Sequence, residues 1–493
     1  MIFFNINNLL LYTISFPLLG VLILLFIPQK KEKLMKLVAL NFSFYSFLSS
    51  LVIWLFFQKS VGSFQFVKKL FWFPLFNINF ILGIDGISLF FLLLTTLLIP
   101  LCILASWNLN SYKFLKEFLI SFLMLDFFLI GSFCSLDLLF FYIFFESVLI
   151  PMFFVIGIWG SRERKILASY YFFLYTLFGS LVMLLSIVYI YNQVGTTDYE
   201  TILTFSFSNL EQKVLWLTFF LAFSSKVPMI PVHLWLPEAH VEAPTAGSII
   251  LAGVLLKLGT YGFIRFSLPF FPQASFFFTP LVYTIALIGV VFASFTAIRQ
   301  TDFKRIIAYT SIAHMNLVVL GIFSFNIVGI EGAILQSLSH GFVASALFFV
   351  IGVVYERYKT RIVQYYGGLA IVMPIYITIF LFFTLSNMSF PGTGNFVGEF
   401  LILVGVFNVN QTIAFIGSLS VIIGASYSLW LFNRIAFGNL KTQYTQNFID
   451  LNIRECIVFF PLMLGTIGVG IFPNIFLSCM HLSVSYIVEL LYF

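Results

Sequence analysis

The chain has 493 residues, of which 61% are hydrophobic and only 9% charged, and its formal net charge is +6. A soluble globular domain carries roughly 25% charged residues, so this composition excludes an ordinary soluble enzyme. The positive balance does not point to nucleic acid, because no basic run exceeds a few residues.

Residues 1–8 carry no charge, so the positive n-region of a cleavable signal peptide is missing. The first helix is therefore read as a permanent anchor, as expected of a protein made inside an organelle or in a bacterium. The 68 phenylalanines exceed what packing requires and suggest the coding bias of an AT-rich genome, a common trait of organelles. From there to the other end, apolar runs of about 20 residues recur, each long enough to cross a ~30 Å hydrocarbon core. Backbone polar groups in lipid must be paired within the segment, so these runs must be helices.

The pattern predicts an all-α polytopic membrane protein, a single membrane domain over 1–493 with about fourteen transmembrane helices. They are expected at 9–27, 34–57, 82–106, 117–134, 136–158, 166–191, 212–236, 244–266, 278–298, 303–325, 329–355, 370–408 (interrupted), 412–437 and 455–477. Odd-numbered connections hold 18 of the 25 Lys and Arg residues, from Lys30 through Lys113 to Arg454. Even-numbered ones hold Lys59, Lys68, Lys69, Lys213 and Arg265. The positive-inside rule puts the odd connections on the matrix or cytoplasmic side, and an even helix count puts both termini opposite.

Two helices carry sequence breaks. Helix 7 reads Phe223-Ser-Ser-Lys226-Val-Pro228-Met-Ile-Pro231. Each proline lacks an N–H and clashes with the carbonyl four residues back, which frees the carbonyls of Ser224 and Val227 beside Lys226. Helix 12 reads Asn387-Met-Ser-Phe-Pro391-Gly392-Thr-Gly394-Asn395, with Glu399 following. The breaks are five helices apart, which suggests two inverted five-helix repeats, helices 4–8 (117–266) and 9–13 (278–437). Helices 1–3 (1–106) precede them and helix 14 (455–477) follows. Interrupted helices at matching places in two halves point to an ion site; the plainer reading is that the prolines only kink their helices.

A charge at the bilayer centre costs at least ~2.5 kcal/mol, so each one needs a reason. Glu146, Lys226, Lys257, His314, His340 and Glu399 all fall inside expected spans. The plainer readings are snorkelling for the lysines, a structural carboxyl for Glu146, neutral core histidines, and a half-helix N-terminal contact for Glu399. The functional reading is a proton relay. A lysine nearby holds a buried carboxylate ionised, and its withdrawal lets the carboxylate take a proton. Histidine exchanges protons near neutral pH without special tuning.

Asp85 and Asp137 sit at helix starts and are expected to be caps, whereas Asp126 is open between an access role and a structural hydrogen bond. His233, Glu238, His240 and Glu242 cluster around Pro237 and Pro244, but without H-E-x-x-H they are read as structural. Cys102, Cys134, Cys456 and Cys479 form no C-x-x-C pair, so neither zinc nor a cysteine-ligated cluster is expected. Gly468-Val-Gly470 and Gly392-Thr-Gly394 lack the third glycine of a dinucleotide fingerprint, and no Walker A run exists. Neither a metal nor a cofactor is expected on this chain.

Phe144-Phe-Glu146-Ser-Val-Leu-Ile-Pro151-Met and Lys226-Val-Pro-Met-Ile-Pro-Val-His-Leu-Trp-Leu-Pro-Glu-Ala-His-Val-Glu-Ala-Pro-Thr245 resemble the helix 5 and helix 7–8 signatures of the antiporter-like subunits of respiratory complex I. Leu255-Leu-Lys257-Leu-Gly, Arg299-Gln-Thr-Asp302-Phe-Lys304 through His314-Met, Leu338-Ser-His340-Gly and Gly398-Glu399-Phe extend the likeness over nearly the whole chain. Glutamate in helix 12, and an end soon after helix 14 without a long lateral helix, make it most similar to the mitochondrially encoded subunit 4 branch. The resemblance implies that Glu146 gates Lys226, that Lys257 is the central relay lysine, that His314 and His340 bridge the halves, and that Glu399 faces the exit. It implies NAD, FMN, iron–sulfur clusters and ubiquinone on partner subunits. The partners would be neighbouring antiporter-like subunits, the lateral helix of subunit 5 and lipid, in the mitochondrial inner membrane. A multisubunit cation/proton antiporter and a structural scaffold are the competing readings.

Overall fold

The computed structural model describes residues 8–107, 114–443 and 449–492. Lys113, used in the orientation count, and residues 1–7, used in the signal-peptide reading, lie outside the described residues. In chain order the elements are α1 (Leu9–Phe26), α2 (Glu32–Phe56), β1 (Gln65–Phe73), β2 (Ile78–Ile84), α3 (Gly86–Ala105), α4 (Leu115–Cys134), α5 (Leu138–Ser147), α6 (Leu149–Trp159), α7 (Lys165–Val194), α8 (Tyr199–Leu203), α9 (Asn209–Lys226) and α10 (Trp235–Glu242). There follow α11 (Thr245–Ile250), α12 (Leu256–Gly262), α13 (Leu268–Phe270), α14 (Pro272–Arg299), α15 (Phe303–Ile322), α16 (Ile327–Tyr358), α17 (Leu369–Val372), α18 (Pro374–Asn387), α19 (Gly394–Val409), α20 (Gln411–Ala436), α21 (Ile453–Ile471) and α22 (Pro473–Tyr492).

All fourteen expected segments are helical over most of their length. Among the described residues, thirteen helices are long and apolar enough to cross a membrane, taking α5–α6 as one and α11–α13 as one. The two broken helices stand outside that set. In the first, α9 stops at Lys226 and turns lead to α10; in the second, α18 stops at Asn387 and α19 resumes at Gly394.

Two elements differ from the expectation. Residues 65–84 form an antiparallel hairpin instead of a connection and the first residues of a helix. The cause is local: aromatic and β-branched residues flank Pro74-Leu-Phe-Asn77, and Asn77 takes the left-handed conformation (φ 49°) that a tight turn needs. The second difference is α22, a twenty-residue helix that starts inside the expected 455–477 and runs past its end to Tyr492. Pro473 cannot continue α21 but suits the first turn of a new helix. A further apolar helix removes the even count on which the placement of the C-terminus rested.

Side-chain caps start the helices where the sequence predicts them. Asp85 accepts from the Ser88 N–H (3.0 Å) while its own N–H donates to Ser88 Oγ (3.0 Å), a capping box. Asp137 accepts from the Leu139 and Phe140 N–H groups (2.9 and 3.1 Å) and from the Thr197 hydroxyl (2.6 Å). Asp126 is fully buried in α4, and its Oδ2 lies 3.0 Å from Ser46 Oγ of α2, whose hydroxyl also donates to the Ser43 carbonyl (2.7 Å).

The chain divides into two compact units. The first comprises Met1–Lys226, Val254–Thr279 and Ser478–Phe493, and the second Val227–Gly253 and Pro280–Leu477. In the first, α22 returns to the start of α3, where Ser483 Oγ accepts from the Gly86 N–H (3.1 Å). A Cβ on Gly86 would lie 2.0 Å from the Cys479 carbonyl, so only glycine allows this approach. In the second, α16 and α19 meet along a seam of glycines. A Cβ on Gly332 would come within 2.7 Å of the Ile402 nitrogen, one on Gly398 within 2.7 Å of the Gln336 backbone, and one on Gly405 within 2.5 Å of Gly329 Cα. Small residues that let backbones touch are how membrane helices associate without a hydrophobic driving force.

Candidate functional site

The first unit holds Glu146, Lys226 and Lys257. Glu146 is the penultimate residue of α5, beside an interruption that the sequence reading did not mark. Pro151 has no N–H to offer the Ser147 carbonyl, and the flanking bonds, Val148 N–H to Phe144 and Met152 N–H to Val148, are stretched to 3.4 Å. The signal was present in Glu146-Ser-Val-Leu-Ile-Pro151. Among the described residues, neither buried carboxylate oxygen of Glu146 has a hydrogen-bond partner. Ser180 on α7 is a polar neighbour, but its hydroxyl is already donated to the Thr176 and Leu177 carbonyls (3.0 and 2.9 Å).

Lys226 ends α9 and is 1% exposed, so it does not snorkel. Its Nζ lies 4.7 Å from the centroid of the Phe145 ring and 6.0 Å from that of Phe172. A desolvated ammonium over an aromatic face is worth about 2 kcal/mol. Lys226 and Glu146 attract each other electrostatically without forming a contact ion pair. Gly179 brings α7 close enough that a Cβ there would lie 2.8 Å from the Leu221 carbonyl, which seats the Ser180 turn against α9.

Lys257 is fully buried and rides on α12. A π-helical turn precedes it (Leu251–Leu255) and another follows (Phe263–Ser267). Such turns are rare and concentrate at functional sites. Beyond the second turn's start, Arg265 forms a buried ion pair with Asp85 (2.5 Å), and its guanidinium lies 5.1–5.7 Å from the ring centroids of Phe64, Tyr199 and Tyr261. Asp85 therefore caps α3 and also holds the second half of Lys257's helix.

The second unit brings together His314 of α15, His340 of α16 and Glu399 of α19. His314 Nδ1 lies 2.9 Å from Glu399 Oε1, and the two histidine rings are 5.6 Å apart at 47°. Gln336, one turn before His340, donates to the same Glu399 oxygen (3.0 Å) and stands 3.5 Å from His314 Nδ1. It was not singled out from the sequence, although it is an amide inside an expected span at i−4 from a histidine. Glu399 is thus engaged by side chains, not by the half-helix N-terminus. Pro391 and Gly392 (φ 94°) make the turn before α19. Pro228 and Pro231 fall in the turns after α9.

The second cluster near Pro237 is built of arginine pairs. Glu238 binds Arg305 (2.6 Å), Glu242 lies 3.7 Å from Arg361, and His240 stacks on Phe348 at 4.4 Å. Among the described residues no group of His, Cys, Asp or Glu could hold a metal ion.

Comparison with known proteins shows the family and the fold. Residues 135–424 match the family described as NADH:quinone oxidoreductase/Mrp antiporter, transmembrane. NADH-ubiquinone oxidoreductase chain 4 of Marchantia polymorpha is 57% identical over 98% of this chain and 97% of its own length. The chain 4 protein of Arabidopsis thaliana is 57% identical over 99% and 97%. A chain of the structure titled respiratory complex I from Thermus thermophilus with bound NADH superposes with a TM-score of 0.89 at 28% identity, covering 99% of both chains.

Proposed function

The chain belongs to the NADH-ubiquinone oxidoreductase chain 4 family of antiporter-like membrane proteins, and we propose on that footing that its two buried clusters are the working parts of a proton translocator. It is a multi-pass membrane subunit of respiratory complex I, an H⁺-translocating NADH:ubiquinone oxidoreductase, and it assembles with the other subunits of that complex. The observation that carries the relay is the placement of each ionisable cluster beside an interrupted helix: Glu146 at the α5–α6 break, Lys226 at the end of α9, and Glu399 just past the α18–α19 break.

In the first unit, Glu146 acts as the electrostatic gate of Lys226, and Lys257 as the relay lysine. Attraction without a contact pair lets the carboxylate tune the ammonium while leaving the ammonium able to give up its proton. In the second unit, His314 and Glu399 share a hydrogen bond along which a proton can pass, and His340 offers the next ring. Gln336 holds the carboxylate in line. The breaks in α9–α10 and α18–α19 support two inverted repeats, 117–266 and 278–437. The lysine- and arginine-rich connections support a matrix-facing odd side in the mitochondrial inner membrane.

NAD, FMN, the iron–sulfur clusters and ubiquinone are assigned to partner subunits, and the lateral helix of subunit 5 to this chain's flank. The cofactor-bearing subunits supply the redox energy; this chain's residues hold and move protons. The test is native electrophoresis of gently solubilised membranes with an in-gel NADH stain and mass spectrometry. Peptides of this chain in the large NADH-oxidising band are expected. Peptides in a separate band without that activity would favour a free-standing cation/proton antiporter.

A further inference from the structure

On the second unit, the chain between α16 and α17 packs against the chain that follows α20. Both stretches are odd-numbered connections, on the cation-rich side of the membrane. The Gly368 N–H donates to the Phe437 carbonyl (3.0 Å), and a Cβ on Gly368 would lie 2.6 Å from the Gly438 carbonyl. Gly368 (φ 68°) and Gly438 (φ 94°) both hold left-handed conformations that favour glycine. Glycines thus let the two loops touch, and Gly367 and Gly438 are among the residues that line an open cavity of about 530 Å³.

The walls of that cavity carry charge of one sign. Arg434 and Lys441 line it, Asn433 and Asn439 add amides, and no carboxylate is among its lining residues. Arg434 stacks on Trp430, one turn back on α20, at 5.1 Å. That contact keeps the guanidinium beside the indole ring at the cavity wall. Lys441 Nζ donates to the Gln364 carbonyl across the rim. A planar fork beside a second cation is the donor set that recognises phosphate oxygens.

Its position selects the source of the phosphate. The cavity sits where α20 ends, with Trp430 half-buried and Phe437 57% exposed at its lip. Tryptophan with arginine and lysine at a helix end marks the headgroup level of a bilayer. Basic pockets on the matrix or cytoplasmic side take anionic headgroups, and the apolar lip offers a surface to an acyl chain. We propose that this cavity binds the phosphodiester headgroup of a membrane phospholipid, with Arg434 and Lys441 on the phosphate and Phe437 and Trp430 against the chain.

The test uses the assembled complex. R434Q/K441Q complex, washed in detergent beside wild type, should retain about one fewer phospholipid per particle by quantitative lipid mass spectrometry. If the double variant does not assemble, N439E, which adds a carboxylate at the rim, should show the same loss. In delipidated wild-type complex, phosphatidylglycerol vesicles should slow hydrogen exchange in the backbone of 363–368 and 437–441, and inorganic phosphate should not. An unchanged lipid count in an assembled variant overturns the proposal. So does equal protection by inorganic phosphate, which would make this a site for the free anion. Full protection before any lipid is added would mean that a partner chain covers it, and would also overturn the proposal.

Discussion

The two clusters solve the same problem with opposite chemistry. In the first unit, Lys226 lies over the rings of Phe145 and Phe172, and it and Glu146 act on one another through space, with no hydrogen bond between the two charged ends among the described residues. In the second, His314, Gln336 and Glu399 are joined at 2.9–3.5 Å. Through-space coupling in a low dielectric is long-ranged and survives small movements. A hydrogen-bonded triad is directional and fails when one member shifts by an ångström. On the proposed relay, the first cluster would sense a change of charge and the second would hand on a proton.

Substitutions can sharpen that contrast. Lys257→Met, which leaves the helix intact and removes its buried charge, should have the largest effect. Coupled NADH–quinone turnover and proton pumping in proteoliposomes should both fall at least about tenfold, or ~1.4 kcal/mol of barrier. Pumping at the wild-type rate would remove Lys257 from the path. Glu146→Gln should slow both about three- to tenfold, and Glu146→Asp, which keeps the charge, should recover most of the loss. If the coupling acts through charge, only the neutral variant suffers; equal losses would mean that shape matters instead.

In the second unit, geometry is the sensitive variable. Gly398→Ala should push α19 from α16 and cost about 1–3 kcal/mol by overpacking, read as a lower melting temperature of the complex. It should also cost turnover, because Glu399 is the next residue. Gln336→Leu, which removes one of the two bonds to Glu399 Oε1, should slow turnover about threefold with little change in melting temperature, a loss of ~0.7 kcal/mol.

The smallest effect is expected at Asp137, just outside the span that begins at Leu138. Burial raises its pKa to about 6, against the opposing pull of the Thr197 hydroxyl and the Phe140 and Leu139 N–H groups. A folded-state value above the unfolded one, ~3.9, means that the native chain binds more protons in between. The stability Asp137 contributes is then fully present below about pH 4 and is lost as pH rises through about 6. Asp137→Asn should flatten that slope between pH 5 and 7 in melting experiments on the complex. An unchanged slope would show that the group does not titrate there.

The helices were legible because twenty apolar residues in a row have one stable form in lipid. Breaks at Pro228, Pro231 and Pro391 were legible because proline acts locally. The hairpin was missed because hydrophobicity dominates residues 65–84, and strand period is hard to see in a run that is apolar almost throughout. The α5–α6 interruption was missed because Pro151 stands five residues past Glu146, outside the window in which the charge drew attention. The six ionisable residues were readable singly, since a buried charge advertises itself. Their partners were not: nothing in sequence places Gln336 on Glu399, or Asp85 on Arg265, because those pairings come from helices that meet only once folded.

The glycine seam between α16 and α19 limits which parts of the second cluster can move. Gly332, Gly398 and Gly405 bring backbone against backbone, so there is no cushion of side chains to absorb a slide or a twist. With the two rods locked together, Glu399 and Gln336 keep their depth, and the remaining freedom at this end of the proposed relay lies in a few bond rotations: the χ angles of His314, His340 and Glu399. Such rotations displace a few atoms, whereas a helix shift displaces a whole backbone segment and takes microseconds or longer. The movable parts of this cluster are thus far lighter than the frame that carries them.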